Sequence, residues 1–78
     1  MKFTQYFQFT RDRNDRKKIK MEWIEYVFNF PERKEIQTDG RIRLWAKIQE
    51  AEGRYLRVIV LEDRETIHNA FFDRNFKE

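Results

Sequence analysis

The chain has 78 residues, with 17 Lys and Arg against 14 Asp and Glu, one His, no Cys, two Gly and one Pro. A chain this short holds one thin core, because a domain of about 60 residues hides only about 60% of its unfolded surface, and the 17% aromatic content separates it from disordered chains that share its 40% charge. Without Cys there is no disulfide framework or thiolate metal site. With no signal-peptide core and no apolar run near the roughly 20 residues of a membrane span, a cytoplasmic protein without membrane contact is expected.

Residues 3–9, Phe-Thr-Gln-Tyr-Phe-Gln-Phe, carry aromatic rings at Phe3, Phe7 and Phe9 with Tyr6 out of phase, which fits a short strand or a helical turn. Arg11 to Lys18 is polar, with Asn14 or Asp15 available to cap a turn. The first twenty residues hold seven basic side chains against two acidic ones, so the small net charge of +3 is unevenly placed. Such a segment suits either phosphate contact or a solvated helix entry. Ile19 to Phe30 predicts a helix. Met21, Ile24, Val27 and Phe28 share one face, Trp23, Tyr26 and Phe30 widen it, and Pro31 ends it.

Beyond Pro31 the period falls to two. Glu35 to Thr38 is a short extended piece, and Asp39-Gly40 is a hairpin turn. Arg41 to Ile48 alternates, with Ile42, Leu44, Ala46 and Ile48 on one side and Arg41, Arg43, Trp45 and Lys47 on the other. Glu50 to Gly53 is a second turn. Arg54 to Leu61 places Leu56, Val58 and Val60 opposite Tyr55, Arg57, Ile59 and Leu61. Asp63-Arg64 turns without glycine, and Thr66 to Phe72 completes the pattern. One domain over 1–78 is expected, a two-layer α+β fold with one main helix on a three- to four-stranded antiparallel meander in the order β-α-β-β-β-β. The helix should cover Ile42, Leu44, Leu56, Val58 and Val60.

The face left open is then rich in Arg41, Arg43, Trp45, Lys47, Tyr55 and Arg57. Basic and aromatic sheet faces receive RNA in several small folds, although long amphipathic side chains also line ordinary half-exposed sheets. His68 is the only imidazole, and paired with Arg57 it suits metal-independent RNA cleavage, with guanidinium groups holding the phosphate. A His hydrogen-bonded at the sheet edge is the plainer alternative. No Ser is present, no Gly-rich phosphate loop occurs, and one His without Cys gives no zinc set, so neither a metal nor a cofactor is expected. Glu62, Asp63 and Glu65 read as a solvated acidic turn.

The run Asp39-Gly-Arg-Ile-Arg43, Trp45, Arg54-Tyr-Leu-Arg-Val58 and residues 65–74, together with Asp15-Arg16, Ile19, residues 22–24 and Pro31, resembles a group of small bacterial proteins. That group is similar in layout to the BrnT-like and RelE-like toxins. The resemblance covers nearly the whole chain. It implies a helix-plus-antiparallel-sheet fold, RNA as a partner, a small antitoxin as a second partner and metal-independent endoribonuclease activity. Those toxins often carry a His before the helix with basic residues four and eight positions later. The matching positions here are Phe9, Arg13 and Lys17, so the basic pair is kept and the His is not. Arg41, Arg43, Lys47, Arg13 and Lys17 would then contact phosphate, Tyr55 and Trp45 would stack on bases, and His68 with Arg57 would be catalytic. The competing expectation is a non-catalytic interaction module, a homodimer included, formed through an exposed sheet edge.

Overall fold

The computed structural model describes residues 1–76. Among them β1 (Lys2–Phe3) is followed by α1 (Gln5–Thr10), α2 (Asn14–Lys17) and α3 (Met21–Asn29), then by β2 (Arg33–Ile36), β3 (Ile42–Ile48), β4 (Arg54–Val60) and β5 (Thr66–Phe72). The fold is α+β. The strands form one five-stranded sheet in the order β1-β5-β4-β3-β2.

Strands β2 to β5 form the expected antiparallel meander, but β1 joins it parallel to β5, so the sheet is mixed and larger than the sequence suggests. The aromatic segment at the start divides between both of its expected forms. Lys2 and Phe3 pair with Thr66 and Ile67, and the Thr4 N–H donates to the Ile67 carbonyl at 3.1 Å. Thr4 then caps α1, its hydroxyl oxygen accepting the Phe7 N–H at 3.0 Å. The expected main helix is α3, but it starts at Met21, with Ile19 in the link before it, and two short helical segments, α1 and α2, precede it.

Helices α1 and α3 pack against the same sheet face, α1 on β5 and α3 on β3 and β4. Phe7, Ile19, Ile24 and Val27 meet Ile42, Leu44, Ala46, Ile48, Leu56, Val58, Val60, Ile67 and Ala70 in one core. Fully burying a Leu, Ile, Val or Phe side chain stabilises by about 1.5–3 kcal/mol, so this single layer supplies most of the drive to fold. Period-two alternation then commits the intervening residues to the opposite, helix-free face.

Turns fix the register. Asp39 accepts the Arg41 N–H at 3.0 Å, and Gly40 adopts φ +89°, where an L side chain is strained. The turn without glycine is built by Asp63, which accepts from the Glu65 and Thr66 N–H groups at 2.9 Å and from the Thr66 hydroxyl at 2.5 Å while Arg64 takes φ +62°. A bulge interrupts β5: Ile59 pairs with Asn69 and Val60 with Ile67, leaving His68 as the extra residue.

Candidate functional site

Three turns align one row of side chains across the helix-free face. Arg33 of β2 lies opposite Trp45 of β3, Trp45 opposite Arg57 of β4, and Arg57 opposite Phe71 of β5. The Arg57 guanidinium sits 5.5 Å from the Trp45 ring centroid and 5.2 Å from that of Phe71. At the β5 end Arg16 of α2 lies 5.2 Å from the same Phe71 ring. Cation–π pairs of this kind contribute about 0.5–1 kcal/mol when exposed and about 2 when desolvated.

Asp73, just beyond β5, ties the row together. Its carboxylate accepts the Trp45 indole N–H at 3.0 Å and lies 3.6 Å from Arg57 Nη1. Burial pushes the carboxyl up, but the indole bond, the Asn75 N–H and the Arg57 charge outweigh it and hold the group below its ordinary value. Arg57 Nε is buried without a hydrogen-bond partner among the described residues. The ring of Phe76 closes the row from above, stacked on Trp45 at 5.0 Å and 22° and against Tyr55 at 4.7 Å and 48°.

Arg33 and Arg43 share a single carboxylate, Glu35, at 2.9 and 3.9 Å. The Gln37 amide oxygen, once oriented to suit its donors, also accepts from Arg43. A groove of about 320 Å³ opens between these guanidinium groups and Trp45. Lys47 is exposed, and its backbone N–H donates to Glu32 at 2.7 Å. Arg41 falls just outside β3, 3.7 Å from Asp39.

The sequence-predicted residues therefore separate into groups. Trp45, Tyr55, Arg57, Arg43 and Lys47 occur on strands β3 and β4 at positions that share the open face. Arg13 and Lys17 are exposed at α2, and Arg41 is at a turn. His68 stands apart from Arg57. Arg57 faces Phe71, three positions further along β5, whereas the His68 ring stacks on Tyr6 at 4.9 Å and its Nδ1 meets the Thr4 hydroxyl at 3.1 Å. Burial, with a smaller push from the Arg41 charge, lowers the His68 pKa from 6.5 and favours the neutral ring. These contacts have the form of the edge-bound His that was the plainer sequence reading.

Sequence reasoning overlooked Arg16, Arg33, Phe71, Asp73 and Phe76 as parts of the site. The Asp39-Gly40 turn pointed one place away from Arg33: a two-residue loop would set Lys34 opposite Trp45, whereas Gln37 closes the loop on Arg41 and Arg33 takes that place. No signal existed for Phe76, which lies outside every periodic segment. No protein-family model matches the chain, and neither any curated protein nor any solved structure matches it.

Proposed function

We propose that the chain binds single-stranded RNA on its helix-free sheet face, as a small protein of toxin-like layout. The row Arg33, Trp45, Arg57 and Phe71, in register across four strands, is the observation that carries this reading. Planar aromatic and guanidinium groups accept unstacked bases whatever their identity, and neighbouring cations meet the backbone. Arg33 and Arg43 lean on one carboxylate, so a phosphate entering the groove would find a guanidinium that Glu35 alone does not neutralise. The reading is of binding rather than cleavage: Arg57 is engaged by Asp73, Trp45 and Phe71, and the His68 ring stacks on Tyr6 of α1. Fluorescence anisotropy with a labelled oligouridylate tests it, with binding expected at low salt and weakening as salt rises. Absence of salt-dependent binding would remove the reading.

A protein partner is favoured by a different observation. Phe9, Phe30 and Ile36 are 73%, 65% and 62% exposed, and β2 has one unpaired edge. Pairing of two such edges would give a homodimer; light scattering across a concentration series tests for it, and a monomer throughout would count against it.

A further inference from the structure

Phe76 packs on the open face from outside any strand. The chain leaves β5 at Asp73, whose N–H donates to the Tyr55 carbonyl at 2.9 Å and whose carboxylate takes the Trp45 indole N–H. The Asn75 N–H then donates to Asp73 Oδ1 at 3.0 Å, folding the segment back over the sheet. Arg74 and Asn75 are exposed. Phe76 descends beyond them, nearly parallel to the indole at 22°, with the Arg33 guanidinium 5.9 Å from its ring centroid. Trp45 is thereby only 4% exposed, although it stands on the face that carries no helix.

A flat ring lying on an indole, flanked by a phenol and a guanidinium, has the arrangement of a nucleobase held by a single-strand binder. The groove beside it contains Arg33 and Arg43, placed to meet the phosphates on either side of such a base. Phe76 meets the rings of Trp45 and Tyr55 and the Arg33 guanidinium, while the segment's backbone is tied down at Asp73 and its turn. Lifting the ring therefore leaves each ladder hydrogen bond and the Trp45–Asp73 bond in place.

We infer that Trp45 and Tyr55 form a subsite for one nucleobase of a single strand, and that Phe76 is its intramolecular occupant, leaving when the base enters. The inference rests on the RNA-binding reading and adds where a base is taken and what competes for its place. The exchange swaps one aromatic partner for another, so the free chain masks the subsite partially and reversibly. Apparent affinity is then lowered by the fraction of chains whose subsite is open.

The test compares the unaltered chain with Phe76→Ala and Phe76→Trp, each titrated with labelled oligouridylate and checked for fold by circular dichroism. Phe76→Ala should bind about two- to tenfold tighter, the range set by one aromatic pair, and Phe76→Trp should bind more weakly than the unaltered chain. In a Trp23→Phe background, Trp45 emission should fall as the oligonucleotide is added. If the unaltered chain binds but Phe76→Ala binds no better and Phe76→Trp no worse, the subsite is refuted and the RNA reading stands. If none of the chains binds at low salt, both fall. Should Phe76→Ala not fold, the Phe76→Trp comparison and the Trp45 emission decide the matter.

Discussion

Arg16 donates from Nη1 to the Ala70 carbonyl at 2.9 Å, joining α2 to a strand more than fifty residues away. The same guanidinium nitrogen reaches Asn69 Oδ1 at 2.6 Å, and that oxygen also accepts the Ala70 N–H at 2.9 Å. Strand β1 covers the opening residues of β5 and then leaves the sheet. Side chains take over where it stops, so the Ala70 N–H and carbonyl that face away from β4 are satisfied without a further strand. An edge treated in this way is closed to a foreign strand.

Arg16→Ala should therefore uncover the second half of β5. We expect a loss of about 1–3 kcal/mol from one charged hydrogen-bond donor to a half-buried acceptor, measured by urea unfolding. Concentration-dependent self-association should appear with it in light scattering. A variant that stays monomeric and as stable as the parent would show that Arg16 does not guard this edge.

Arg57→Met should destabilise the chain by about 1–3 kcal/mol, since it removes a cation between two rings and the charge facing Asp73. Arg57→Lys should recover little, because an ammonium is not a plane that can lie between Trp45 and Phe71. Full recovery by Lys in thermal melts would mean that charge alone matters at this position.

Asp63 titrates at about 2 against an ordinary 3.8, chiefly through the Thr66 hydroxyl bond, then the Glu65 and Thr66 N–H groups. A carboxyl depressed on folding adds stability above its unfolded value, and that contribution fades as pH falls through the folded one. The β4–β5 turn should accordingly stay intact at pH 4 and loosen toward about pH 2. Carbon-13 NMR titration of the Asp63 carboxyl would show the midpoint, which Thr66→Val should move up toward 3.8. An unshifted midpoint in that variant would contradict the turn described.

His68 should titrate below 6.5, because burial disfavours its charged form. Its folded value being the lower one, the ring contributes stability above 6.5 that is lost as pH falls through the folded pKa. Nitrogen-15 shifts of the imidazole would report this, and a midpoint at or above 6.5 would oppose it. Thr4→Val removes both the hydroxyl at Nδ1 and the α1 cap, with an expected loss of about 1 kcal/mol.

Arg43→Ala and Lys47→Ala should each weaken oligouridylate binding and flatten its dependence on salt. For a single strand, every phosphate no longer neutralised by the protein lowers the log–log slope by about 0.7. An unchanged slope would remove that residue from the interface.

Much of this arrangement could be read from local pattern. Pro31 stops α3, and the Asp39-Gly40 turn sets Ile42, Leu44, Ala46 and Ile48 on the helix side of β3. Strand β5 runs from Thr66 to Phe72, the bounds expected for it, although the bulge at His68 breaks its alternation. The parallel partner β1 was hidden because two residues carry no period, and its pairing depends on a strand far along the chain. His68 was misleading for a related reason: local pattern shows neither the bulge that makes it the extra residue of β5 nor the Tyr6 ring and Thr4 hydroxyl that it meets. The basic and aromatic face was legible as composition on two strands. Its conversion into a row needed the registers of four.

The pairing of β1 with β5 also sets an order of events in time. Lys2 and Phe3 find their neighbours only when Thr66 and Ile67 exist, so β1 cannot dock until a ribosome has passed β5. Until then Phe3 and Phe7 lack the strand against which they are later packed, and α1 has no β5 to rest on. Closing so long a loop is entropically expensive and slows folding. Nascent chains should therefore expose Phe3 and Phe7 until β5 has been made, and chaperone capture should fall sharply once β5 has emerged.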